Sequence, residues 1–182
     1  GETRDGAIIR GTYDYGIQGT VITISAADAK IEKLTFTRDY GKSDAVWKAG
    51  KRDTGISINA GNVTIDQITV RDKRSAIYAH TQQGFKITNS LVEKNRTGIS
   101  LGSDISNSTI NNNIIRDNFT HGIIFNYAFG SGVTATNMKV KYNAFSGNWY
   151  TDIYAHGTQP TSIYTGADMC CNTFNTNAAE TK

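Results

Sequence analysis

The sequence predicts an all-β protein, a single parallel solenoid of about six or seven short turns, and three observations predict it. A nine-residue motif recurs six times, starting at residues 31, 65, 87, 110, 140 and 169. A short apolar strand follows four of those copies at an almost constant offset. Asparagines return at two fixed places in the motif. The motif reads apolar, two variable, apolar or Asn, one variable, apolar, two variable, then usually Asn. Its copies occupy 31–39, 65–73, 87–95, 110–118, 140–148 and 169–177, with starts 34, 22, 23, 30 and 29 residues apart. A base period near 22 with three insertions accounts for these separations.

Composition agrees. Of 182 residues only 38% are hydrophobic and 19% charged, with 18 Gly, 1 Pro and 16 Asn, so the polarity comes from uncharged groups. This excludes a coiled coil, a membrane span and a charge-driven disordered tail. Abundant β-branched residues, Asn and Gly also disfavour a helical bundle. The net charge of +3 is small and spread along the chain. It fits a solvated surface or an acidic-polymer partner, and the intermixed acids disfavour a nucleic-acid stripe.

Each motif copy supplies two short strands, and a third follows seven or eight residues after Val70, Val92, Ile115 and Phe145. These third strands are Ala76-Ile-Tyr-Ala79, Gly98-Ile-Ser-Leu101, Gly122-Ile-Ile-Phe125 and Asp152-Ile-Tyr-Ala155. Gly55-Ile-Ser-Ile58 precedes them, and Ile22 and Ile24 belong one turn earlier. Alternation places Ile56, Ile77, Ile99, Ile123 and Ile153 in one inward, nearly buried stack. No such turn buries its own apolar face, so stacking at roughly 4.8 Å must build one continuous core. Asn113, Asn143 and Asn172 form one column, at a tight turn expected to need left-handed geometry and to let amides bond along the stack. Asn95, Asn118, Asn148 and Asn177 form a second. Four Asn-X-Ser/Thr sequons (Asn62, Asn95, Asn107, Asn118) are what an Asn- and Thr-rich chain yields by chance.

Units such as Ile110-Asn-Asn-Asn113-Ile-Ile115-Arg-Asp-Asn118, with the Gly-Ile-x-Ile strands after them, resemble the right-handed parallel β-helices of the pectin-lyase-like superfamily. The resemblance covers about residues 20–177 and is specific for fold; lyases, hydrolases, epimerases, adhesins and phage tailspikes all use such repeats. It implies an amphipathic N-terminal capping helix, and nothing before Thr20 resembles one. The chain opens Gly1-Glu2-Thr3-Arg4, with neither initiating Met nor secretory leader. We therefore expect one domain over 1–182, a fragment of a larger protein.

The resemblance also implies that a polysaccharide would lie along the outward residues of the third strand. These are Ser57 and Asn59, Tyr78 and His80, Ser100 and Gly102, Ile124 and Asn126, Tyr154 and His156. All three histidines map to this sheet or its rim, with His121 immediately preceding its strand. The candidate catalytic group is His121, Asp152, Tyr154 and His156: a His to take the proton beside a uronate carboxyl, a Tyr as acid partner. Candidate ligand contacts are Tyr78, His80 and Asn126, with Arg74 and Arg96 at the sheet edge and Tyr40 and Trp47 in the insertion 37–52. Tyrosine rings offer sugars a flat face, and arginine forks suit carboxylates. An ordinary solvated face is the competing reading.

The two Tyr-x-His pairs lie three turns apart, roughly 14 Å, too far to share a metal ion. Calcium-dependent pectate lyases and polygalacturonases gather several carboxylates on this face, whereas here Asp152 stands almost alone and Asp53 is turns away. Calcium is possible but unsupported, no cofactor is expected, and the Asp-Pro-His element of mannuronan epimerases is missing. Cys170 and Cys171 are adjacent and staple no distant segments; they read as incidental, with a vicinal disulfide as the alternative. The expected function is a polysaccharide-binding module of a secreted or surface protein, such as an adhesin or tailspike, taking an acidic glycan. A polysaccharide lyase or epimerase acting on uronate polymers is the alternative, and a structural spacer a third. An extracellular or cell-surface location is expected, with neither nucleic acid nor membrane insertion.

Overall fold

A computed structural model of the chain describes residues 7–11, 19–38, 53–126, 134–155 and 166–175. All regular structure among these residues is β-strand, and every strand pairing is parallel. Three long sheets run along the stack, with seven, six and five strands, and a two-stranded piece joins Ile105–Ser106 to Ala135–Thr136. The chain is a parallel β-helix.

The register follows the repeat. In the seven-stranded sheet, Ile9, Phe36, Val70, Val92, Ile115, Phe145 and Phe174 lie in one column. The five-stranded sheet aligns Ile31, Ile65, Ile87, Ile110 and Val140. The six-stranded sheet, which carries the candidate site, aligns Ile22, Ile56, Ile77, Ile99, Ile123 and Ile153. Ile56, Ile77, Ile99 and Ile123 are fully enclosed. Ile153 is only half-buried; among the described residues its strand (Thr151–Ala155) is the outer one of its sheet, with a neighbour on one side. Phe174 is exposed, stacked on Phe145 at 5.2 Å.

Both asparagine columns are ladders, buried except at Asn172, which is half-buried. In one, the backbone N–H and the side-chain Nδ2 of Asn95 both donate to Asn118 Oδ1, and those of Asn118 donate to Asn148 Oδ1. In the other, Asn113 donates likewise to Asn143 Oδ1 and Asn143 to Asn172 Oδ1. Each Nδ2 also reaches a strand carbonyl, for example Asn118 to Val92 O at 3.2 Å and Asn143 to Ile110 O at 2.8 Å. The buried amides are thus satisfied within the stack, as burial of polar groups requires. Asn177 lies outside the described residues.

One expectation needs correction. The left-handed residue is the one before the ladder position: Gln67, Asn89, Asn112, Tyr142 and Cys171 precede Ile68, Ser90, Asn113, Asn143 and Asn172, with φ between 50° and 64°. Asp72, Lys94 and Asp117 do the same for the other ladder. The ladder Asn must turn its amide inward; the chain reversal that permits this falls on its neighbour, whose side chain points to solvent or packs on the next turn. Burial also bears on the sequons. Asn95 and Asn118 are fully enclosed ladder members, whereas Asn62 and Asn107 are exposed.

Candidate functional site

The outward face of the six-stranded sheet begins with the row Ser57, Tyr78, Ser100, Ile124 and Tyr154, in register across adjacent strands. Tyr78 and Tyr154 are half-exposed, while Ser57, Ser100 and Ile124 are almost covered. Across the strands Tyr78 lies between Ser57 and Ser100, so two short side chains flank a long one. The next outward row runs Asn59, His80 and Gly102.

His80 is firmly held. Its ring lies near-parallel to Tyr78, centroids 6.0 Å apart, with Nε2 2.8 Å from Ser103 Oγ and Nδ1 3.1 Å from Thr81 Oγ1. Gly102 makes room for that ring, since a Cβ there would sit 2.6 Å from His80 Cδ2. Arg74 and Arg96 share one edge column: Arg74 N donates to Asp53 O, Thr97 N to Arg74 O, and Thr120 N to Arg96 O. Both are half-buried. Asp53 accepts from Arg74 N at 2.8 Å and stands 4.0 Å from the Nζ of Lys73, a fully enclosed lysine in a ladder position. Asp53 therefore belongs to one end of the Asn95–Asn118–Asn148 ladder.

Asp152 belongs to the other end. It takes a place held by Gly55, Ala76, Gly98 and Gly122 in the preceding turns; a Cβ on Gly122 would come within 3.1 Å of Asn148 Nδ2. Asp152 Oδ1 accepts from that same Nδ2 at 2.7 Å, the role that the next Asn Oδ1 plays lower in the ladder. Burial pushes its carboxyl above the usual range, against the Asn148 hydrogen bond. The candidate catalytic group is thus split. His121 and Tyr154 come together, ring centroids 4.8 Å apart and 23° from parallel, while Asp152 is tied to Asn148. His156, Tyr40 and Trp47 lie outside the described residues, and Asn126 ends its strand in register with Gly102. Among the described residues no three His, Cys, Asp or Glu side chains gather as a metal site.

Sequence reasoning missed the most prominent feature. Around His121 and Tyr154 stand Tyr150, Trp149 and Phe119, forming an aromatic corner at the sheet edge. Tyr150 meets His121 edge-on at 5.1 Å and Tyr154 at 6.0 Å. Trp149 stacks on Phe119 at 5.3 Å and 12°. Tyr150, Trp149 and Phe119 are 64%, 48% and 44% exposed, although large apolar surfaces normally turn inward. The cause is one residue of chain length. Lower in the stack one residue, Arg96, links ladder Asn95 to strand residue Thr97. Two residues link Asn118 to His121 and Asn148 to Thr151. The longer connection pushes the residue after the ladder Asn outward, and in both turns that residue is aromatic. The change from seven to eight residues between Val92–Ile99 and Ile115–Ile123 is the signal that could have found it.

The corner offers flat π faces with hydroxyl tips from Tyr150 and Tyr154 and an imidazole between them. Phe119 and His121 stand one turn above Arg96 and two above Arg74, and Trp149, Tyr150 and Tyr154 one turn higher still. No curated protein matches the chain. The model of the right handed beta helix region matches residues 3–168, and the chain belongs to that family.

Proposed function

We propose that this β-helix is a polysaccharide-binding module that holds its ligand against the aromatic corner, with an acidic sugar reaching down the edge toward Arg96 and Arg74. The observation that carries the reading is the exposed Phe119–Trp149 stack beside Tyr150. Its three rings keep 44–64% of their surface in water and project from a rigid ladder. Sugar rings have apolar C–H faces that pack on such surfaces, and rigid aromatics bind at little entropic cost. Guanidinium forks suit uronate carboxylates. An extracellular or cell-surface setting, where polysaccharides are met, is part of this reading.

Affinity electrophoresis against acidic and neutral polysaccharides, wild type beside Trp149→Ala and Arg96→Ala, tests it. Retardation by an acidic polymer that Trp149→Ala abolishes and salt weakens supports the reading. Retardation unchanged in both variants sinks it. A second reading, a lyase or epimerase, is favoured by the contact of His121 with Tyr154. Appearance of unsaturated uronate ends, lost in His121→Ala while binding persists, would select it.

A further inference from the structure

Cys170 and Cys171 are the chain's only cysteines, and both are exposed free thiols on the last described turn. Their sulfurs lie side by side, 2.6 Å apart. Cys171 occupies the left-handed turn position that Gln67, Asn89, Asn112 and Tyr142 fill below it, with φ of 64°. That turn delivers Asn172 to the end of its ladder, where Oδ1 receives Asn143 and Nδ2 reaches Met169 O and Val140 O. The backbone N–H of Cys170 donates to Asp168 Oδ1 at 3.3 Å, and Lys141 Nζ bonds the other oxygen of the same carboxylate at 2.8 Å. The thiols are therefore juxtaposed by an anchored turn and open to small reagents.

We propose that Cys170 and Cys171 are a redox-modification site, closing into a vicinal disulfide by exchange with a small-molecule disulfide of the oxidised-glutathione class. One thiolate attacks a sulfur of the oxidant, forming a mixed disulfide and releasing one glutathione thiol. The neighbouring thiolate then attacks the protein sulfur of that mixed disulfide, closing the ring and releasing the second. The protein loses two electrons and two protons; the oxidant gains them as two thiols. The hydrogen bond from Cys171, then partial burial and Asp168, push the Cys170 thiol above its ordinary value, with Lys141 opposing. Exchange therefore quickens as pH rises, because the thiolate is the nucleophile. The product is a rigid ring in the turn that seats Asn172. It does not depend on the polysaccharide reading.

The test treats the whole chain with oxidised glutathione and measures intact mass and free thiols. Closure predicts a mass about 2 Da lower, no free thiol, no covalent dimer, and full reversal by a dithiol reductant. Cys170→Ser and Cys171→Ser should each stop at the mixed disulfide, about 305 Da heavier. Phenylarsine oxide, which bridges neighbouring thiols, should bind the reduced wild type at one per chain and neither variant. Two separate glutathione adducts on the wild type, disulfide-linked dimers, or failure to bind the arsenical would each overturn the proposal.

Discussion

The lower and upper turns of this solenoid share one ladder and differ in what they show to water. Below, Lys73 and Asn95 are each followed by an arginine, and one residue leads into the strand of the site sheet. Above, Asn118 and Asn148 are followed by Phe119 and Trp149, and two residues lead into the strand. The inward register does not notice: Ile77, Ile99 and Ile123 stay aligned and fully buried. A buried ladder fixes the scaffold so firmly that one added residue is absorbed at the surface. It turns a basic edge into an aromatic one.

If the ladder is the common scaffold, breaking it should cost most. Asn118 accepts from Asn95 and donates to Asn148 and Val92. Asn118→Ala should lose roughly 3–5 kcal/mol in urea unfolding, since several enclosed partners are left unsatisfied. Ile99→Ala, in the enclosed column, should lose about 2–5 kcal/mol by the same measurement. A cost below about 1 kcal/mol for either would mean that the central turns are not where the register puts them.

Surface changes should leave the scaffold and divide the two regions. Phe119→Ala removes the stacking partner of Trp149 from an upper turn. It should leave unfolding within about 1 kcal/mol of wild type, yet lower polysaccharide affinity by roughly 1–2 kcal/mol through loss of the Trp149 stack.

The smallest contrast is in pH dependence. Asp152 has a carboxyl raised by burial, so between its ordinary value of 3.8 and the raised one the folded chain binds more protons than the unfolded. Stability should fall as pH climbs through that window, and Asp152→Asn should remove the slope. Asp66 behaves oppositely. Burial pushes its carboxyl up, but hydrogen bonds from Thr88, Asn89 and Gln67 and the charge of Lys30 outweigh this and lower it. Its contribution is present above the ordinary 3.8 and lost as pH falls through the lowered value. Urea midpoints against pH for Asp152→Asn and Asp66→Asn should therefore deviate from wild type in opposite senses.

The repeat was legible because each inward residue answers to a neighbour one turn away. Periodic Ile, Val and Phe set the register, and periodic Asn announced the ladders. The left-handed positions were misplaced by one because a turn's geometry is shared between adjacent residues, and sequence alone does not say which peptide reverses. Tyr78 and Tyr154 were legible as outward residues by alternation, and His121 as the residue just before its strand, which in the structure begins at it. Phe119, Trp149 and Tyr150 were not, since they occupy a connection rather than a strand, where no periodicity marks a direction. Asp152 matched a catalytic type by chemistry. Its true partner, Asn148, became visible only with the ladder it closes.

Whether the aromatic corner is a binding surface can be settled by titrating one acidic polysaccharide into four proteins: wild type, Trp149→Ala, Tyr150→Ala and Tyr142→Ala. Tyr142 is the control, a similarly exposed ring (56%) set in the connection between the five- and seven-stranded sheets, beneath Lys141 Nζ at 5.6 Å. The account predicts that Trp149→Ala and Tyr150→Ala each weaken binding by roughly 1–3 kcal/mol while Tyr142→Ala binds like wild type. Equal affinity in all four, or a loss confined to Tyr142→Ala, would contradict it.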